Sequence, residues 1–334
     1  MNGAFVKAPG VLYMSDNLQI RSYKSGDEQY ILDLFRLSYE NYKLPLSFWN
    51  WRFRDNPAGT GLIELCWDGD ILVGHYAVTT CESRINGQDH FSGLSGTTMT
   101  HPDYRGRGLF PVLAQSTYAR MSERGMAMVL GFPNAMSHRG FVKDLGWKDI
   151  YEIPCFRLQI PSSNPPQLPV GKGTVVEIND FDERFDLLWD AVKDRYAIIS
   201  KRNRQYLQWR YVQNPSDKYR IIALIDRNHL LGYAVFKRYE DELQVVDMLT
   251  TSDEDIGIKL IVWIVKAAKQ EKAKSMSLWL NPVHPLHQEL ERSGFNNGEP
   301  ITYFGGLIIN PGICGDEIYD YRNWYLTMGD SDNF

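Results

Sequence analysis

Apolar positions at helical spacing follow Asp27, namely Ile31, Leu34 and Phe35 with the small Ser38, and predict a helix capped by that aspartate. The same spacing returns far downstream in Phe185, Leu188, Trp189 and Val192. After the first of these helices the pattern changes to strand-like runs over residues 62–67 and 71–81, with a third run ending at Thr100. Asp68-Gly69-Asp70 turns the chain between the first two, and Asn86-Gly87 is a favoured two-residue hairpin turn, so the three runs predict an antiparallel meander. Helical spacing resumes with Phe110, Leu113, Ala114, Thr117 and Met121, with Gly125 as a stop, and residues 126–132 read as a short strand. Helices beside a mixed, mostly antiparallel sheet make an α+β unit.

The pattern occurs twice. Trp51-Arg52-Phe53 with Asn56-Pro57 recurs as Trp209-Arg210-Tyr211 with Asn214-Pro215, an offset of 158. Leu72-Val73-Gly74-His75-Tyr76-Ala77-Val78 is echoed at the same offset by Leu230-Leu231-Gly232-Tyr233-Ala234-Val235. Pro133 followed by Leu145-Gly146-Trp147 resembles Pro282 followed by Ser293-Gly294-Phe295 at offsets of 149 and 148, so the second copy is about nine residues shorter between these blocks. The proline- and glycine-rich stretch 161–173 lies between the copies, as a linker or as a strap packed across both. The expected organisation is a first domain over 1–160, a linker over 161–173, a second domain over 174–310 and an acidic, aromatic tail over 311–334.

Composition narrows the function classes. With 334 residues, 43% of them hydrophobic, the chain holds enough apolar material for two cores. Its longest clear apolar run, 260–265, is far too short to span a membrane, and the first residues lack a signal-peptide pattern, so a cytoplasmic location is expected. Lys+Arg and Asp+Glu balance up to residue 160 and acids exceed bases beyond it, which leaves no basic face for nucleic acid. Cys66, Cys81, Cys155 and Cys314 match neither a zinc site nor a disulfide framework, and the seven histidines form no metal-ligand spacing, so no metal is expected.

The segment His101-Pro102-Asp103-Tyr104-Arg105-Gly106-Arg107-Gly108-Leu109-Phe110 falls between a predicted strand and a predicted helix. Glycines there let backbone amides approach an anion, the helix adds its positive end, and Arg105 and Arg107 add charge. This is a phosphate- or pyrophosphate-binding turn. Pro102-Asp103-Tyr104-Arg105-Gly106-Arg107-Gly108 resembles the signature of the GNAT superfamily of acetyl-coenzyme A-dependent N-acetyltransferases, departing from it at Phe110, where the family usually has Gly or Ala. The resemblance covers the first copy from Gln19 to about Ile160 and, more faintly, the second from Val175 to about Ile309. It implies two tandem GNAT-like domains with acetyl-CoA as co-substrate. It further implies that Arg105, Gly106, Arg107, Gly108, Leu109 and Phe110 hold the pyrophosphate and that Met99 and Thr100 supply backbone to the pantetheine arm. Asn134 stands where the family often has a coenzyme-binding asparagine, and it reads equally as a helix cap. In the second copy the later offset sets Glu254-Asp255-Ile256-Gly257 opposite the loop, and acids there would repel pyrophosphate, so a single coenzyme site is expected.

Acetyl transfer to an amine needs a proton acceptor. The family's strand carboxylate is missing from residues 93–100, and its usual tyrosine position is Val142. Glu82, His138 and Asp330 are the catalytic candidates, with His75 beside them and His101 read as a cap of the loop. The repeated Trp-Arg-aromatic blocks, present in both copies, read as structural. The leading expectation is transfer of an acetyl group to a small-molecule amine, for instance an amino sugar. An aminoacyl-tRNA-dependent transferase of the peptidoglycan-bridge kind and a non-catalytic acyl-CoA-binding module are the alternatives. Acceptor and oligomeric state stay open.

Overall fold

The computed structural model describes residues 6–8, 11–13, 18–39, 43–160, 172–251, 254–332 and 334, so most of the stretch expected as a linker lies outside the described residues. The chain divides into two compact units that interleave in sequence: 1–81, 90–148 and 305–315 in one, and 82–89, 149–304 and 316–334 in the other.

The first unit contains β1 (Val6–Ala8), β2 (Val11–Tyr13), β3 (Leu18–Ser22), α1 (Glu28–Ser38), α2 (Leu46–Trp49), β4 (Leu62–Asp68), most of β5 (Ile71–Ile85) and β6 (Gln88–Thr100), α3 (Leu109–Glu123), β7 (Met128–Gly131) and α4 (Ala135–Leu145). The strands β1 to β7 lie side by side in chain order, and residues 305–308 pair antiparallel with β7 beyond them. β6 and β7 run parallel. The predicted turn at Asn86-Gly87 has φ of 47° and 79°, the left-handed pair that a tight hairpin requires. β5 runs past the expected end at Cys81 to Ile85, and its last residues belong to the second unit. One core of this unit gathers Leu18, Val73, Tyr76, Leu109, Leu113, Met121 and Trp147. Another gathers Ile31, Leu34, Trp49, Phe53, Leu65, Ala77 and Met99. Cover on both faces accounts for the near-continuous burial of β4 and β5.

The second unit repeats this order with β8 (Lys148–Gln159), β9 (Thr174–Ile178), α5 (Arg184–Val192), β10 (Ile198–Ser200), α6 (Arg204–Leu207), β11 (Arg220–Asp226), β12 (His229–Tyr239), β13 (Glu242–Thr250), α7 (Glu254–Gln270), β14 (Ser275–Leu278), α8 (Pro285–Arg292), β15 (Asn296–Ile308) and β16 (Trp324–Tyr325). Its strands run β15, β8, β14, β13, β12, β11, β9, with β13 and β14 parallel. β10 pairs with β16 and with residues 83–85. The repeated Trp-Arg-aromatic blocks each form a wide π-helical turn, Asn50–Arg54 and Gln208–Val212, with all three residues buried. Asn56 and Asn214 then accept backbone N–H bonds from residues just ahead of them, from Ala58 at 2.8 Å and from Ser216 at 2.9 Å. The repeat is thus one of conformation as well as sequence. The tail is packed rather than frayed, with residues 324–329 buried in the second unit.

Candidate active site

β6 ends at Thr100, and the chain crosses to α3 through a short 3-10 turn, Pro102–Tyr104. The His101 ring accepts the Asp103 N–H at 3.3 Å, its backbone N–H donates to the Val73 carbonyl at 2.9 Å, and the Tyr104 hydroxyl donates to Asp68 at 2.6 Å. The guanidinium of Arg107 lies 4.5 Å over the Tyr104 ring and donates to the Asp103 carbonyl at 3.2 Å. Gly106 and Gly108 both have φ of 76°, a left-handed conformation that costs an L side chain roughly 1–2 kcal/mol, and each faces open space where a Cβ would be. Among the described residues no hydrogen bond engages the backbone N–H groups of Gly106 or Gly108. Arg105 and Arg107 are exposed, and α3 begins immediately after with its own unpaired amides. The result is a cradle of amides and guanidinium groups whose chemistry would suit a phosphate or pyrophosphate.

Below the cradle β6 parts from β7. The two strands pair at Gly93 with Val129 and at Leu94 with Leu130; β7 then ends at Gly131, while β6 continues to Thr100. Thr97 has φ of 57°. A β-branched residue held there costs about 1–3 kcal/mol and persists only where its surroundings impose it. Two donors do so. His75 on β5 donates from Nδ1 to the Thr97 carbonyl at 2.7 Å, and the Tyr39 hydroxyl at the end of α1 donates to the Thr98 carbonyl at 3.2 Å. His75 is fully buried, and desolvation pushes its pKa down to about 4, so the imidazole is neutral at pH 7. Its Nε2 and the Thr98 hydroxyl are buried with no hydrogen-bond partner. Met99 is buried and Thr100 half-buried on the stretch that continues toward the loop.

A hydroxyl network that no local spacing announces lies where the two strands separate. Ser95 Oγ donates to the Tyr76 hydroxyl at 3.0 Å, Tyr76 and Tyr118 share a bond of 2.8 Å, and Trp147 Nε1 donates to Tyr118 at 2.8 Å. Burial raises both phenols, Tyr76 to about 12, so they hold their protons at neutral pH. Glu64 on β4 is a buried carboxylate that the sequence pattern hid, and it is occupied: Ser22 donates at 2.8 Å, Ser116 at 3.3 Å and Arg120 at 2.5 Å, which ties α3 to the sheet.

Asn134 caps α4, its Oδ1 accepting the N–H groups of Met136 and Ser137 at 3.0 Å each. Phe110 packs against α4, edge-on to Phe141 at 5.2 Å, and a Cβ on Gly140 would come within 3.3 Å of it. Glycine at 140 is what accommodates the bulky residue at 110. His138 sits half-exposed in the first turns of the same helix. Glu82 belongs to the second unit, where its carboxylate is ion-paired with Lys201. Asp330, in the same unit, is 5% exposed and paired with Arg202 at 2.6 Å while it accepts the Thr327 N–H at 2.8 Å. Of the three candidates, His138 belongs to the unit that carries the loop, and Glu82 and Asp330 belong to the other.

The second unit handles the corresponding place differently. Only residues 251–253 separate β13 from α7, so Glu254, Asp255, Ile256 and Gly257 stand in the first turn of a helix rather than in a loop. Arg202, 2% exposed, donates to Asp247 at 3.0 Å and to Thr327 at 3.0 Å in addition to Asp330. Tyr233 donates to Asp247 at 2.9 Å, and the Tyr325 hydroxyl donates to the Met248 carbonyl. Arg210 reaches the main-chain oxygens of Gly329, Ser331 and Phe334. The tail is thereby locked against β13 and the π-helical turn.

Among the described residues no group of acids, histidines and cysteines could hold a metal ion, no helix is long and apolar enough to cross a membrane, and the four cysteines are free thiols. Residues 19–150 match the family model described as acetyltransferase (GNAT) domain. The sequence matches none of the curated proteins. Among solved structures, the chain is similar to a GCN5-related N-acetyltransferase from Anabaena variabilis, 13% identical with a TM-score of 0.70 over 88% of this chain and 73% of that one. It is similar to a probable N-acyltransferase from Enterococcus faecalis, 12% identical with a TM-score of 0.69 over 87% and 72%. A tandem GNAT protein from the clavulanic acid biosynthesis pathway aligns over 88% of this chain and 99% of its own at 14% identity, with a TM-score of 0.55. At these identities the likeness establishes the fold.

Proposed function

We propose, for a chain whose residues 19–150 form a GNAT acetyltransferase domain, that it transfers an acetyl group from acetyl-CoA to the amine of a small molecule, using one coenzyme site in the first unit. The observation that carries this reading is the cradle itself: two left-handed glycines, unpaired amides and two arginines at the start of α3, directly after a strand that has separated from its parallel neighbour. Arg105 through Phe110 hold the pyrophosphate, and the main chain of Met99 and Thr100 lines the pantetheine arm. In the ternary complex the neutral amine nitrogen attacks the thioester carbonyl, the carbon–sulfur bond breaks, and the departing thiolate takes up a proton while the amine gives one up. His138 is the proton acceptor in this scheme. It lies on the helix that packs against the start of α3 and is half-exposed. An amino sugar is one acceptor class. The second unit, in which three residues join β13 to α7, serves as scaffold in this reading.

Calorimetric titration of acetyl-CoA into the wild type and into a folded Arg105→Glu, Gly108→Asp variant tests the reading. Saturable binding at one site, weakened at least 100-fold by the variant, is expected. Absence of binding by the wild type, or equal binding by both, sinks it. Binding without turnover over a panel of amines would leave an acyl-CoA-binding module, the reading favoured by the missing strand carboxylate at residues 93–100.

A further inference from the structure

We propose that His75 is a positioning residue for the coenzyme groove: its Nδ1–H, bonded to the Thr97 carbonyl, holds β6 in the left-handed kink that follows its separation from β7. The inference rests on reading that separation as the acyl-coenzyme A groove.

Three features of the chain point the same way. First, the kink is at the wrong residue for a relaxed chain. Gly96 stands next door and could adopt a positive φ freely, yet the positive φ belongs to the β-branched Thr97, so something outside the residue imposes it. Second, the donor is expensive to keep. His75 is wholly buried and its Nε2 is left without a partner, a cost in stability that an apolar side chain of the same size would avoid. Because a carbonyl can only accept, Nδ1 must carry the proton, and a neutral imidazole with Nδ1–H has only a lone pair at Nε2. Third, the second unit provides a natural control. Tyr233 stands at the position of His75, 158 residues on, and also reaches to the adjacent strand, but it donates to the side chain of Asp247 rather than to a backbone carbonyl. No residue of β13 has a positive φ, and three residues rather than eight lead from it to the next helix. Histidine, kinked strand and long crossing occur together in the first unit, and the matching strand of the second has neither the histidine nor the kink.

The test compares His75→Phe, His75→Asn and His75→Gln in the full chain, by calorimetric titration with acetyl-CoA and by amide hydrogen exchange of the segment 96–100. An asparagine amide nitrogen falls near the place of Nδ1 and a glutamine one near that of Nε2, so only the first can replace the lost donor. His75→Phe should weaken acetyl-CoA binding at least ten-fold and speed exchange of the Thr97 to Thr100 amides by a similar factor, with an unfolding midpoint no lower than the wild type. His75→Asn should bind within about three-fold of wild type, and His75→Gln should behave as the phenylalanine variant. Adding Thr97→Gly to His75→Phe should recover most of the affinity, because glycine takes the kinked conformation without a tether. Wild-type affinity in His75→Phe, or equal losses in the Asn and Gln variants, overturns the role of His75. If His75→Phe fails to fold, the Asn and Gln pair alone decides. A wild type that does not bind acetyl-CoA at all instead overturns the groove reading, and with it the role assigned to this histidine.

Discussion

At matching places in the two repeats the chain puts interior polar groups to opposite uses. In the first, a neutral His75 and the Tyr39 hydroxyl hold two consecutive carbonyls of β6, and the strand runs on into a loop with unpaired amides. In the second, Tyr233 and Arg202 hold Asp247 on β13, Thr327 and Asp330 from the tail complete the network, and a three-residue connection leads straight into α7. One strand end leads into an exposed, glycine-containing loop, and the other is held by the tail. The difference teaches that the scaffold is indifferent to chemistry. A handful of side chains and five extra residues between strand and helix distinguish the proposed anion site from its counterpart.

The contrast can be broken most forcefully at Arg202. Arg202→Ala leaves Asp247 and Asp330 buried without their cation, and loss of one partner from a buried ionic cluster costs about 3–5 kcal/mol. Urea unfolding should register a drop of that size, and a loss below about 1 kcal/mol would show that the network contributes nothing.

The next effect sharpens the comparison through pH. Folded His75 titrates near 4 against an ordinary value of 6.5, so between those values the unfolded chain binds more protons than the native one. The stabilisation is therefore fully present above about pH 6.5 and is lost as pH falls through about 4. At about 1.4 kcal/mol per pH unit, the wild type should lose about 3 kcal/mol more than His75→Phe between pH 7 and well below 4, read as the difference between their urea midpoints. Parallel pH profiles for the two proteins would contradict a buried neutral imidazole.

The smallest expected effect separates two roles of Asn134. Asn134→Ala removes the cap of α4 and should cost about 1 kcal/mol. Asn134→Asp keeps the capping oxygen but loses the amide donor, so its stability should stay within about 0.5 kcal/mol of wild type. Acetyl-CoA affinity reduced in the aspartate variant and equal stability would mark a coenzyme contact, whereas unchanged affinity would leave only the cap.

Much of the architecture was legible in order along the chain. Asn86-Gly87 turned as its residue types required, Gly108 stood at the start of α3, Gly125 followed its end, and the Trp-Arg-aromatic blocks returned as matching buried turns. The site was legible only in part. The tyrosine network joins β5, β6, α3 and Trp147 two residues after α4, and Glu64 is recognisable as an anchor only once Ser22, Ser116 and Arg120 surround it. The acidic tail read as either folded back or solvated, and its burial rests on Arg202 and Arg210, more than a hundred residues earlier.

What the sequence by itself determined is what turn chemistry and periodicity control, because these act within a few residues: the strands and helices, the duplication, and a glycine-rich crossing able to receive an anion. Only the tertiary structure decided that Thr97 is kinked, that His75 holds it, and that Asp330 faces an arginine. Those outcomes depend on which strands lie side by side and in what register, and on a buried polar group finding its partner wherever the fold brings one, which no local spacing encodes.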